Sequence, residues 1–220
     1  MKSFQLLICC ILVLSACSHK QTSSVTTAPP LAKSDALWRI ISTQCLPQFE
    51  AEQPQNQCAE VHIQQGQERG YVIFKDQRGI LQYLLMPTRK ITGMESPELL
   101  EDSGPNYFYL SWVHRSAMEK LHGEAIKPEH ISLAVNSQFG RSQNQLHVHI
   151  SCSKVEVQKE MARQVKKIGN KWAVMPTSLL GHTYWARKIS EKELSQKNAF
   201  HLMAQEIPGA QERMGEFGLG

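Results

Sequence analysis

The run Gln145-Leu146-His147-Val148-His149-Ile150-Ser151-Cys152 alternates polar and apolar side chains without a break. In an extended strand alternate side chains share a face, so Gln145, His147, His149 and Ser151 point one way and Leu146, Val148, Ile150 and Cys152 the other. The chain must therefore build a sheet that buries one face of this strand and carries two histidines on the other. The same parity makes Cys152 a buried hydrophobe rather than a reactive thiol.

Around this strand the pattern supplies partners. Residues 131–136 read as a second strand, joined to the first by a polar loop containing Gly140. Residues 71–75 and 80–86 read as two more, separated by Asp76-Gln77-Arg78-Gly79, a hairpin signal. The last of these is nearly all apolar, as expected of a strand covered on both faces. Helices are expected over 35–46, stopped by Pro47, and over 107–122, bounded by Gly104-Pro105 and Gly123. Another is expected over 153–168, where Ser153-Lys154-Val155-Glu156 has the capping-box form and Gly169 follows. Residues 182–189 suggest a strand and 191–206 a helix, with 207–220 weakly specified. Strands in pairs with helices between them, rather than strict alternation, predict an α+β fold with an antiparallel sheet.

The beginning of the chain points outside the cytoplasm. Lys2, an apolar run over 4–14, and Ser15-Ala16 ahead of Cys17 form an export signal too short to span a bilayer. Leu14-Ser15-Ala16-Cys17 resembles the bacterial lipobox, which predicts removal of residues 1–16, lipid on Cys17 and a flexible Ser-, Thr- and Pro-containing tether over 17–34. In an oxidising compartment Cys45 and Cys58 are then expected to pair, with Cys152 left over. Lys and Arg number 24 against 20 Asp and Glu, a formal net charge of +4. That mild balance gives no reason to expect nucleic acid as a partner.

Two histidines on one strand face admit more than one chemistry. They are compatible with an ordinary half-exposed strand. Imidazoles two residues apart also bind zinc when a third ligand is supplied, here from His114, His130 or His182. A neutral imidazole is, finally, a good nucleophile near neutral pH.

The stretch from Asn136 to Cys152 resembles the signature of the histidine-triad-like superfamily, whose members attack nucleotide α-phosphates with a strand-borne histidine. Further segments, 81–88, 93–97, 181–187 and 214–219, are similar to the bacterial CDP-diacylglycerol pyrophosphatases. The resemblance implies a hydrolase domain over 35–220 that needs no metal or other cofactor and cleaves CDP-diacylglycerol to CMP and phosphatidate. It implies His147 as nucleophile and His149 as the group that binds phosphoryl oxygens or protonates the departing one. Asn136, Ser142, Gln143 and Gln145 are then expected to donate to the substrate, with His182 and Arg187 as further binding residues. It also implies an enzyme anchored at a membrane and facing the periplasm. The inner membrane is where such a substrate is made, whereas Ser18 lacks the Asp that commonly retains lipoproteins there.

The chain departs from the superfamily pattern at Gln145, where the first of three histidines would stand. An amide hydrogen-bonds but does not titrate, so weakened activity is expected, and a binding-only relative is the alternative. The chain also stops at Gly220, ahead of the family's further strand, helix and late cysteine, so an unpaired sheet edge, lower stability or an inactive enzyme is expected. Residues 154–192 hold nine Lys or Arg against three acidic residues. That excess favours an anionic diphosphate lipid and an anionic membrane surface as partners.

Overall fold

The computed structural model describes residues 34–54 and 57–220. The expected signal segment, the lipidation site Cys17 and the tether up to residue 33 lie outside the described residues. Among the described residues no helix is long and apolar enough to cross a membrane.

The fold is α+β. Helix α1 (Ala36–Ile40) continues through a π-helical turn over Ile41–Cys45 into α2 (Leu46–Glu50). There follow β1 (Cys58–His62), β2 (Tyr71–Lys75), β3 (Tyr83–Pro87), α3 (Tyr107–Val113), α4 (Ser116–His122), β4 (Ile131–Ala134) and β5 (Val148–Cys152). The chain finishes with α5 (Val155–Gln164), a minor ribbon of β6 (Ala173–Val174) and β7 (Trp185–Ala186), and helices α6 (Glu191–Gln196) and α7 (Ala199–Glu206). Strands β1 to β5 form one antiparallel sheet in the order β1-β2-β3-β5-β4.

Both faces of that sheet are covered over its middle. On one, Ile73, Leu85, Val148 and Ile150 pack with Tyr107, Phe108, Met118, Phe200 and Met203 of the helices. On the other, Val61, Val72, Phe74, Leu84 and Met86 pack against Ile41, Cys45 and Leu46. Burying an aliphatic or aromatic side chain of this size is worth about 1.5–3 kcal/mol, so these two layers fix the sheet. Cys45 and Cys58 are joined by a disulfide that ties the N-terminal helical segment to β1.

Several sequence expectations are corrected. Pro47 does not stop the first helix. It sits at the start of α2, after the π turn, where the wider turn accommodates a residue that lacks an N–H and crowds the preceding carbonyls. Residues 80–82 are loop, not strand: Gly79 has φ +76°, Ile80 is 87% exposed, and Asp76 N donates to Gln82 O to close the turn. The helix expected over 107–122 breaks at His114 and Arg115. There the Arg115 guanidinium lies over the Trp112 ring and donates to the Trp112 carbonyl. The capping box at Ser153 does not form, since Lys154 is the N-cap and no side chain caps the helix. Helix 191–206 is split after Gln196, and the strand expected over 182–189 is only β7. Cys152, at the strand's end, is exposed rather than buried. Residues 207–220 are well packed, with Ile207, Met214 and Leu219 in the core and Leu219 paired with Val135 beyond the end of β4.

Candidate active site on the histidine strand

The register of β5 determines where its histidines go. Leu85 faces Val148 and Tyr83 faces Ile150 on the helix-covered core side, so His147 and His149 belong to the opposite face, beside the cover formed by α1 and α2. That face is less open than alternation alone suggests. Gln145 is fully buried, His147 is 7% exposed, and only His149 is half-buried.

His147 Nδ1 lies 2.7 Å from the main-chain oxygen of Gln145. A carbonyl only accepts, so Nδ1 carries the proton and Nε2 is left with its lone pair. Burial lowers the His147 pKa, against an opposing effect of the bond to Gln145, so the ring is held neutral. The His149 ring stands edge to face at 4.8 Å from it. Burial, reinforced by His147, pushes the His149 pKa down to about 4.

Two side-chain amides reach His149 from other elements. Gln82 Nε2 is 3.4 Å from its Nδ1 and Asn136 Nδ2 is 3.4 Å from its Nε2. Gln82 also donates to Asp76 Oδ2, so a carboxylate from the β2–β3 loop is wired to the histidine pair. Gln82 and Asp76 were not legible as site residues, because what brings them in is the turn geometry after Gly79.

Gln145 acts as a brace. Its Nε2 donates to the carbonyls of Pro87 at 3.0 Å and Arg89 at 3.1 Å, fastening the approach to β5 onto the end of β3. Its Oε1 is buried and has no hydrogen-bond partner among the described residues. Leu146 N adds a bond to Ile91 O at 2.6 Å.

The loop between β4 and β5 is held from three sides. Arg141 makes a two-pronged ion pair with Glu95, at 2.7 and 2.6 Å, and its Nε donates to Asn144. A Cβ on Gly93 would lie 2.5 Å from Arg141 Nη1, so a side chain there would push the guanidinium out of this position. Asn144 donates to Ser34, Gln143 Oε1 accepts from Leu37 N, and Gln138 N donates to Gly215 O. Ser142 is exposed on the same loop. An open cavity of about 370 Å³ shares Glu95 and Gln138 with this loop, but neither histidine lines it.

The structure thus gathers Asn136, Gln145, His147 and His149 at one place and sets Ser142 and Gln143 on the loop leading into it. Arg187 does something else: its guanidinium, 8% exposed, joins Glu193 at 2.8 Å and Glu206 at 2.6 Å, locking α6 to α7. His182 is exposed in a turn closed with Leu179. His114, a possible third zinc ligand for His147 and His149 on sequence grounds, instead bonds to Glu60, which shares the sheet face of Ile73 and Leu85.

Comparison with known proteins gives the family. The family model for CDP-diacylglycerol pyrophosphatase matches residues 32–220. A CDP-diacylglycerol pyrophosphatase of Yersinia pestis is 47% identical over 188 residues, which cover 86% of this chain and 71% of the relative. A match of that extent, running through the histidine strand, its bracing residues and the packed C-terminal segment, means that the chain belongs to the CDP-diacylglycerol pyrophosphatase family.

Proposed function

We propose that the chain hydrolyses the diphosphate of CDP-diacylglycerol in two steps through a nucleotidyl-histidine intermediate. His147 Nε2 attacks the phosphorus bearing cytidine, and the bond from that phosphorus to the bridging oxygen breaks. Phosphatidate departs with the bridging oxygen and its electron pair. Water then attacks the same phosphorus, the phosphorus–Nε2 bond breaks with its electron pair returning to Nε2, one proton of the water passes to solvent, and CMP leaves. The observation that carries this reading is the bond from His147 Nδ1 to Gln145 O, which fixes the one tautomer able to attack through Nε2.

His149 serves this reaction as a hydrogen-bond donor to phosphoryl oxygen. With a pKa near 4 it is neutral at pH 7 in the free protein, and the two negative charges of the bound diphosphate, one on each phosphorus, raise its proton affinity toward the range where it can also protonate the leaving oxygen. Asn136 and the loop residues Ser142 and Gln143 contribute further donors. Gln145 acts through His147, as a brace that sets the position of its strand. The histidine-triad-like superfamily remains the parallel for this strand-borne chemistry.

The remaining parts belong to the same proposal. Residues 1–16 are removed on export, lipid on Cys17 holds the catalytic domain at the periplasmic side of a membrane, and residues 17–34 give it reach. The basic stretch over 154–192 draws it toward anionic lipid. Intact mass of the mature protein tests the anchor, which an unmodified Cys17 would exclude. Release of CMP from CDP-diacylglycerol in detergent micelles by the purified protein, and its loss in His147→Ala, tests the activity.

A further inference from the structure

On the opposite face of the sheet from His147, a second group of titratable side chains converges. In β1 and β2, Glu60 faces Ile73 and His62 faces Tyr71, on the side of the sheet that carries Leu85 and Val148. His114 arrives from the break between α3 and α4. Its Nδ1 lies 2.7 Å from Glu60 Oε2, and His62 Nε2 lies 2.9 Å from the same oxygen. The ligand-type atoms of the three residues fall within 4.8 Å of one another, and all three side chains are partly buried.

We propose that Glu60, His62 and His114 bind one divalent transition-metal ion of the zinc class. Three observations lead there. First, the donors aim at a common point: two imidazole nitrogens meet a single carboxylate oxygen, while bonds of about 2.0–2.1 Å in tetrahedral geometry place ligand atoms roughly 3.3 Å apart. To admit the ion the three side chains reorient, the Glu60 carboxylate drawing back and the two rings turning toward a common centre, from atoms that already lie within 4.8 Å of one another. Second, the outer groups are in place. Tyr71 OH is 3.0 Å from His114 Nε2, leaving Nδ1 as the ligating nitrogen, and the Tyr71 ring stacks on His62 at 4.6 Å. Third, the two rings stand 4.6 Å apart and both are aimed at one carboxylate oxygen, so the three donors occupy one small volume.

Two nitrogens and one oxygen select zinc, cobalt, nickel, iron or copper over magnesium or calcium. The fourth position is left to water. The ion would pin edge strand β1, which carries one end of the disulfide, to the turn between α3 and α4. Its place on the far face separates it from the chemistry of His147, and binding does not depend on the hydrolase reading.

The test is titration of chelator-treated protein, its disulfide intact, with Zn²⁺ by calorimetry and with Co²⁺ by visible absorption. One saturable equivalent is expected, with tetrahedral-type Co²⁺ bands and a Tm raised by several degrees on loading. Glu60→Gln, His62→Gln and His114→Gln should each weaken binding at least 100-fold. Tyr71→Phe should weaken it roughly 10- to 100-fold, and Lys120→Ala, which removes the cation acting on Glu60 and His114, should tighten it. The double variant His147→Ala/His149→Ala should still bind one equivalent. Absence of a saturable site in the parent protein, unchanged affinity in Glu60→Gln, or loss of the site in the His147/His149 double variant would each overturn the proposal. Should His114→Gln fail to fold, the parent Co²⁺ spectrum and the Glu60→Gln titration decide it.

Discussion

His147 is bonded through Nδ1 to the carbonyl oxygen of Gln145, two residues earlier in its own segment, at 2.7 Å. The same residue that accepts this proton with its main chain fastens its side chain to Pro87 and Arg89. Tautomer and position of His147 therefore depend on one residue.

Truncating that brace has a defined cost. Gln145→Ala leaves the buried carbonyls of Pro87 and Arg89 short of a donor and opens a small cavity, so a loss of about 2–4 kcal/mol is expected. Chemical denaturation measures it. Gln145→His, which the sequence pattern alone suggests should raise turnover, would supply one N–H where two are used. It is expected to lower stability by about 1–2 kcal/mol without raising turnover.

His149 makes stability depend on pH. Its folded pKa of about 4 lies below the ordinary 6.5, so on acidification the unfolded chain takes up the proton first. The stabilisation is complete above about pH 6.5 and is lost as pH falls through the folded value. It amounts to about 2–3 kcal/mol after allowance for partial exposure. Denaturant midpoints at pH 7 and pH 4.5 should therefore converge in His149→Gln and diverge in the parent protein.

The two histidines also separate kinetically. His149→Ala should retain a slow reaction, reduced on the order of 10² to 10⁴ in kcat, the range for loss of a positioned proton donor. The acid limb of kcat/KM in the parent should fall below the ordinary histidine range, because burial lowers the pKa of His147.

Much of the fold was readable because its signals are local. Residues 71–75 and the alternation through 145–152 marked their strands, and the apolar run beginning near residue 80 marked β3, since a period of two and a continuous apolar run are imposed by the sheet itself. Strand β1 was missed. Its five residues Cys58-Ala59-Glu60-Val61-His62 carry a bulge between Cys58 and Glu60 that breaks the alternation. The break at His114 was hidden because residues 107–122 keep apolar spacing across it. In the site, His147 and His149 were visible on one strand, but Gln82, Asp76 and Glu95 come from distant segments through turn geometry. Arg187 entered through the family resemblance alone, with no spacing signal of its own, and its guanidinium is paired with Glu193 and Glu206.

The disulfide closes a loop whose ends are 13 residues apart. Replacing both cysteines, Cys45→Ala with Cys58→Ala, should cost about 2–3 kcal/mol, chiefly by freeing the unfolded chain. Thermal unfolding with and without reductant should show the same difference in the parent and none in the double variant.

Arg141 and Glu95 set the loop that leads into the histidine strand. Arg141→Lys keeps the charge but loses the fork, and should reduce turnover roughly tenfold while costing about 1 kcal/mol of stability. Steady-state kinetics together with denaturation separates the two effects.

The central claim is tested most directly by acid-quenching the enzyme during turnover of CDP-diacylglycerol labelled in its cytidylyl phosphate, then mapping the label by peptide mass spectrometry. Label on the peptide containing His147, absent from His147→Ala along with CMP release, is the predicted result. Label persisting on the His147→Ala protein, or full turnover by that variant, would contradict it and leave His147 as a polar residue on a buried strand.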